Sequence, residues 1–237
     1  MITTILFDLD GTLLPMDQDR FTKAYFANLG KAMASRHDPA ELIDAVWAGT
    51  KAMIKNDGAV TNETAFWKKY AEIFGEEARA EEPAFANFYE HHFADAKGSC
   101  GQNPLIPELI RDLKAAGYKL MVATNPLFPM TAQVQRITWA GLDPNDFVRI
   151  TSYENSSFCK PNPKYYSEIL SAIGSQPDET LMVGNDVRDD MAAKAVGAEV
   201  FLLTDGLINS EHADISLYPH GDVPALRDFI SASRISA

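Results

Sequence analysis

The chain changes grammar twice, and those changes limit its folds more than anything else in it. Residues 2–9 (Ile-Thr-Thr-Ile-Leu-Phe-Asp-Leu) are β-branched and too few for a helix, so they read as a buried strand. Pro15 breaks that pattern. From about Asp17 to Ala96 apolar residues recur at helical spacing, starting with Phe21, Tyr25, Phe26 and Leu29. Asp38-Pro39-Ala40-Glu41 is a capping box with proline at the first helical position, ahead of Leu42, Ile43, Val46 and Trp47. Asn62 or Thr61 caps a third helix carrying Phe66, Trp67, Tyr70 and Ile73 and closed by Gly75. Phe85, Phe88, Tyr89 and Phe93 mark a fourth. Residues 97–104, punctuated by glycine and proline, read as a linker.

Beyond the linker, strands alternate with helices. The pattern predicts helix 105–116, strand 118–124, helix 129–140, strand 148–152, helix 163–173, strand 180–184, helix 187–196, strand 199–204 and helix 223–232. Such alternation calls for an α/β fold: a doubly wound, mostly parallel sheet covered by helices on both faces. The helical block after the first strand then forms a second, smaller unit. The expected division is a Rossmann-like core of 1–15 and 101–237 with an inserted all-helical cap of 16–100.

Composition narrows the partners. Formal net charge is −12, which disfavours nucleic acid and anionic membranes, since either needs a cationic surface. A small phosphorylated metabolite remains compatible if a metal or local cations offset the field. No run approaches the ~18 apolar residues of a membrane span. The opening apolar run ends at Asp8 without a basic flank, unlike a signal peptide. Cys100 and Cys159 have no metal-type spacing and read as free thiols of a cytoplasmic protein.

In a sheet of this kind ligands bind at the carboxyl ends of the strands, and polar residues gather there. Asp8-Leu9-Asp10-Gly11-Thr12 closes the first strand. Thr124-Asn125 closes the strand at 118–124, and Gly184-Asn185-Asp186, with Asp190 a turn later, closes the strand at 180–184. Lys160 lies on the loop before the helix at 163–173. Asp8 and Asp10 would project on one side of an extended segment, where mutual repulsion and desolvation are costly unless a cation or a reaction uses them. Each piece also has a plain structural reading: an Asp-rich turn bending at Gly11, a turn at Thr124-Asn125-Pro126, a solvated loop lysine, an acidic helix start. Four loops converging on one edge argue for the functional one.

These residues resemble the haloacid dehalogenase (HAD) superfamily of hydrolases. Asp8-Leu9-Asp10-Gly11-Thr12 matches its first motif, Thr124-Asn125 the second, Lys160-Pro161 the third, and Asp186 with Asp190 the acidic fourth. The helical insert resembles the cap type called C1. The resemblance implies a Mg²⁺-dependent phosphatase acting through an aspartyl-phosphate. Asp8 would be the nucleophile and Asp10 the general acid and base. Asp8, the backbone carbonyl of Asp10, and Asp186 would hold the Mg²⁺. Thr124, Lys160 and the backbone N–H groups of Leu9 and Asn125 would bind the phosphate. Asp190 would support Lys160 or a metal-bound water. Asn185 stands where many relatives have aspartate, and it remains a candidate ligand beside Asp186. Cys159 stands where glycine is frequent, and carries no redox role.

A phosphomutase of the same family would keep all four motifs, and a regulatory protein that senses phosphate would share acidic residues, a threonine and a lysine on an α/β sheet. A dehalogenase is disfavoured because it does not require the second aspartate. Phosphonate cleavage would need a cap lysine such as Lys51 or Lys55. Hinges are expected at about 13–17 and 97–104. Candidate specificity residues are Asp17, Gln18, Arg20, Trp47, Lys51 and Lys55, with Trp47 better read as core packing.

Overall fold

The computed structural model describes residues 1–235; residues 236–237, the end of the expected 101–237 segment, lie outside the description. β1 (Thr4–Phe7) is followed by α1 (Gln18–Ala32), α2 (Pro39–Ile54), α3 (Asn62–Phe74) and α4 (Glu82–His91), with 3₁₀ turns at Glu76–Glu81 and Phe93–Ser99. Then come α5 (Leu105–Ala115), β2 (Lys119–Val122), α6 (Met130–Trp139), α7 (Pro163–Ile173), β3 (Thr180–Gly184), β4 (Glu199–Leu203), β5 (His220–Gly221) and α8 (Val223–Ile235). Among the described residues the five strands form one parallel sheet in the order β2-β1-β3-β4-β5. It is the doubly wound α/β sheet the sequence predicts. The short edge strand β5 was not anticipated.

Alternation along each strand builds the two layers. Ile5, Phe7, Leu120, Val122, Leu181, Val183, Phe201 and Leu203 face one apolar cluster, shared with α5, α6, α8 and the helices between β1 and β2. Leu6, Met121, Met182, Val200 and Leu202 face the other, where Tyr165, Tyr166, Ile169 and Leu170 of α7 pack. Helix starts follow the expected signals. Asp38 accepts from the N–H groups of Ala40 and Glu41 (2.9 and 3.3 Å), and Thr61, rather than Asn62, caps α3 through Thr64 N–H.

Two expected elements take other forms. Segment 148–152 makes a single parallel bridge, Ile150 with Val122. The chain leaves the sheet there because Thr151 Oγ1 donates to Thr124 O (2.7 Å), fixing the loop by a side chain where a ladder would continue. The stretch 187–196 is a turn followed by a 3₁₀ helix, Met191–Val196. Asp186 Oδ1 accepts from Arg188 and Asp189 N–H (2.8 and 2.9 Å), and this local bonding competes with a regular helix. Ile73 and Trp47, placed on apolar stripes by their spacing, are 46% and 43% exposed. Trp47 is therefore not core, a correction taken up below.

Register places the site. Phe7 pairs with Val122 on one side and Val183 on the other. β2, β1 and β3 therefore end level, and Asp8, Thr124 and Asn185 emerge side by side.

Candidate active site

A cleft of about 260 Å³ opens at this edge. Asp8, Asp10, Thr124, Asn125, Lys160, Asn185, Asp186 and Asp190 all line it, so the structure brings together every side chain the sequence assigned to the site except that of Leu9. Leu9 is fully buried. Its carbonyl accepts from Thr12 and Leu14 N–H (3.2 and 2.8 Å), and among the described residues its own N–H, like that of Asn125, has no acceptor. Two unused donors beside a carboxylate suit an anion.

Lys160 is the hub. Its Nζ donates to Asp8 Oδ1 at 2.8 Å and to Asp190 Oδ1 at 2.6 Å, with 3% of the residue exposed. Burial alone would favour the neutral amine, but Asp190 and Asp8 together hold Lys160 well above the ordinary lysine range. Asp190 is fixed in turn, since its Oδ2 accepts from Asp186 N–H (2.9 Å). A side chain at Gly184 would collide with Asp190, its Cβ falling 2.1 Å from Cγ, so β3 must end in glycine for Asp190 to reach Lys160. Tyr166 OH donates to Asp189 O (2.6 Å) and Tyr165 OH to Thr124 O (2.9 Å), tying α7 to both loops.

Asn185 also braces two loops. Its Oδ1 accepts from Thr12 Oγ1 (2.9 Å) and its Nδ2 donates to Gly206 O (2.6 Å). Both ends of the amide thus brace loops, and Oδ1 keeps a second lone pair beyond the bond from Thr12. Gly11 lies against this amide at φ +89°, and a Cβ there would sit 2.3 Å from Asn185 Nδ2.

The sequence reading missed Arg136. Fully buried on α6, it donates from Nη1 to Asp10 Oδ2 and from Nη2 to Gln133 Oε1, and its guanidinium lies 4.6 Å from the Phe128 ring centroid. Burial pushes Asp10 above the usual carboxylate range, the Arg136 charge pulls it back, and Asp8 pushes it up again. The signal available was a polar pair, Gln133 and Arg136 at i, i+3, on the same helical face as Ala132 and Ile137.

The donor set fits a hard cation. Among the described residues, no hydrogen bond reaches the second oxygen of Asp8 or of Asp186, and both residues line the cleft. Asp10 Oδ1 is buried without a partner. No three His, Cys, Asp or Glu side chains converge into a cage among the described residues. The Asp10 side chain is turned to Arg136.

Aligned strand ends carrying carboxylates braced by a buried lysine make an acidic cleft at the carboxyl end of an α/β sheet, the usual ligand position in such folds. The chain matches the haloacid dehalogenase-like hydrolase family over residues 2–197 and belongs to it. It is thus an enzyme, and the curated relatives it matches include phosphoglycolate phosphatases. The phosphoglycolate phosphatase of Caulobacter vibrioides is 26% identical over 225 residues, covering 93% of this chain and 89% of the relative. That of Haemophilus influenzae is 30% identical over 218 residues, 84% of each. Among solved structures, the HAD-hydrolase YfnB from Bacillus subtilis, bound to magnesium, matches with a TM-score of 0.56 at 16% identity, covering 97% of this chain and 99% of that one. Among the described residues no helix is long and apolar enough to cross a membrane.

Proposed function

We propose that this enzyme is a Mg²⁺-dependent phosphatase of a small phosphorylated metabolite, working through an aspartyl-phosphate on Asp8. The observation that carries it is Lys160 held between Asp8 and Asp190: a buried, charged lysine beside a carboxylate whose other oxygen is free. Such a cation orients Asp8 and offsets the repulsion between its carboxylate and a phosphate dianion. Asp8, Asp186 and the carbonyl of Asp10 would hold Mg²⁺, which when bound neutralises charge between nucleophile and phosphate.

Asp8 attacks phosphorus as the bond to the leaving alcohol oxygen breaks, and Asp10 gives that oxygen its proton. Water then attacks the aspartyl-phosphate, returning a proton to Asp10, freeing inorganic phosphate and restoring Asp8. Burial raises Asp10 above the usual carboxylate range while the Arg136 charge lowers it, so the two act in opposite senses on the group that moves the proton. Thr124 and the N–H groups of Leu9 and Asn125 would hold the phosphoryl oxygens.

Residues 16–100 would act as the cap and 1–15 with 101–237 as the core, excluding water from the reaction. The magnesium carried by the B. subtilis hydrolase and the names of the curated relatives support this reading. Two free thiols suit a reducing cytoplasm. The test is phosphate release from a panel of phosphorylated metabolites with Mg²⁺. Turnover should vanish with EDTA and with Asp8→Asn; turnover surviving Asp8→Asn would overturn the mechanism.

A further inference from the structure

A second cavity, of about 150 Å³, adjoins the cleft and shares four lining residues with it: Asp10, Gln18, Leu127 and Phe128. Its other walls come largely from the helices between β1 and β2, and they are aromatic. Phe21 and Tyr25 of α1, Trp47 of α2, and Phe66 and Trp67 of α3 all contribute rings. Several polar atoms in these walls are already engaged, while Trp67 Nε1 is buried without a hydrogen-bond partner among the described residues. Tyr25 OH and Tyr89 OH lie 2.9 Å apart, and Thr50 Oγ1 donates to Val46 O (2.9 Å). Among the described residues no Lys, Arg or His lines the cavity, and its one charged lining residue is Asp10, at the junction.

We propose that this cavity receives the leaving group, and that the substrate is a phosphate monoester of an alcohol bearing an aromatic ring or an apolar group of similar size. The inference rests on the phosphatase reading above and adds the substrate class. Three observations favour it over a small anionic ester. An apolar cavity of roughly 150 Å³ is the size that admits benzene. The carboxylate of a glycolate-like leaving group would enter space with no cation to meet it, which is strongly unfavourable. The two cations lining the adjoining cleft are already paired, Arg136 with Asp10 and Lys160 with Asp8 and Asp190. Asp10 itself lines both spaces, so a leaving oxygen protonated by Asp10 would have its substituent next to the rings. Trp47, 43% exposed and 5.3 Å from the Phe26 ring, forms part of the rim. Of the specificity candidates read from sequence, Gln18 and Trp47 line this cavity. Asp17, Arg20, Lys51 and Lys55 do not.

The test compares 2-phenylethyl phosphate, ethyl phosphate and 2-phosphoglycolate, with Mg²⁺ present. The first two release alcohols of similar acidity, so their ratio isolates the ring. Burying a phenyl group predicts kcat/KM about 10- to 100-fold higher for 2-phenylethyl than for ethyl phosphate. Thr50→Phe, which narrows the cavity, should shrink that ratio about tenfold; general misfolding would lower both rates and leave the ratio intact. Equal rates, or a preference for 2-phosphoglycolate, would overturn the proposal while leaving the phosphatase reading standing. A second arm titrates the Asp8→Asn protein with the same esters and follows tryptophan fluorescence, since Trp47 and Trp67 line the cavity. Saturation by the phenyl ester alone supports the proposal even if no ester is turned over, an outcome that would sink only the phosphatase reading. No fluorescence response to the phenyl ester sinks the cavity assignment.

Discussion

Arg136 holds Asp10 by its Oδ2 oxygen from 126 residues away, and leaves Oδ1 buried without a hydrogen-bond partner. The arrangement divides the carboxylate in two: one oxygen anchors it and the other is available for a proton. Asp10 is one-fifth exposed and Arg136 one-hundredth, so the pair is nearly out of water. Removing one member strands the other.

Arg136→Met should therefore destabilise the fold by about 3–5 kcal/mol, the usual cost of breaking a buried pair. Adding Asp10→Asn should recover part of that loss, because the stranded charge is gone. Urea unfolding of wild type, both single variants and the double variant gives the coupling. Effects that add to within ~0.5 kcal/mol would mean the two residues do not act as a pair.

Lys160 serves two carboxylates, and a variant can separate those services. Lys160→Met should lower kcat by about 10²–10³-fold, the scale of losing one transition-state charge partner. It should also destabilise the fold by leaving Asp190, 1% exposed, uncompensated. Adding Asp190→Asn is expected to restore stability but not turnover. If turnover returned with stability, Lys160 would be a structural residue and not a partner of Asp8.

Much of this site could be read from the chain because its parts are local. Asp8 and Asp10 follow an apolar strand, and Lys160 precedes a proline-started helix, so strand ends and loop order place them without coordinates. Arg136 could not be placed in that way. Its partner is fixed by how α6 packs over the β1 loop, which periodicity does not encode, and arginine inside a protein with a net charge of −12 runs against its usual surface habit. Asn185 was ambiguous for a related reason: ligand or brace depends on Thr12 and Gly206, both far in sequence. Trp47 fell on the apolar stripe of α2, yet that stripe faces a cavity as well as a core. Spacing reports which face is apolar, not what fills the space beside it.

Cys159, one residue before Lys160, gives a pH signature of its own. Burial pushes its thiol up to about 12 from an ordinary 9.0. Above pH 9 the unfolded chain ionises this thiol while the folded protein keeps it neutral. The unfolded state thus binds fewer protons and stability falls as pH rises, by about 1.4 kcal/mol between pH 8 and pH 10 from this group. Below pH 8 the contribution is flat. Denaturant unfolding of wild type and Cys159→Ala at pH 8 and pH 10 should show the wild type losing more by that amount. Identical losses would mean the thiol is not held neutral by the fold.

Asn62 ties the helical layer to the loops that carry the site. Fully buried, it donates from Nδ2 toward Pro126 O (3.3 Å), Phe158 O (3.4 Å) and Cys159 Sγ (3.4 Å), while its Oδ1 accepts from Asn56 Nδ2 (2.9 Å). The backbone joins in, with Asn62 N–H on Ser156 O and Glu63 N–H on Tyr153 O, both 2.9 Å. A hinge motion confined to 13–17 and 97–104 would have to break this contact. Asn62→Ala removes the side-chain part and takes a donor from the Pro126 and Phe158 carbonyls, at roughly 1–3 kcal/mol. Hydrogen exchange should then speed up at Asn62 and Glu63 and across 153–159, while β1 and β3 stay protected. Exchange rising equally in the sheet would mean a global loss of stability. Exchange unchanged at 62–63 would mean the side chain is not what fastens the helices to the loop before Lys160.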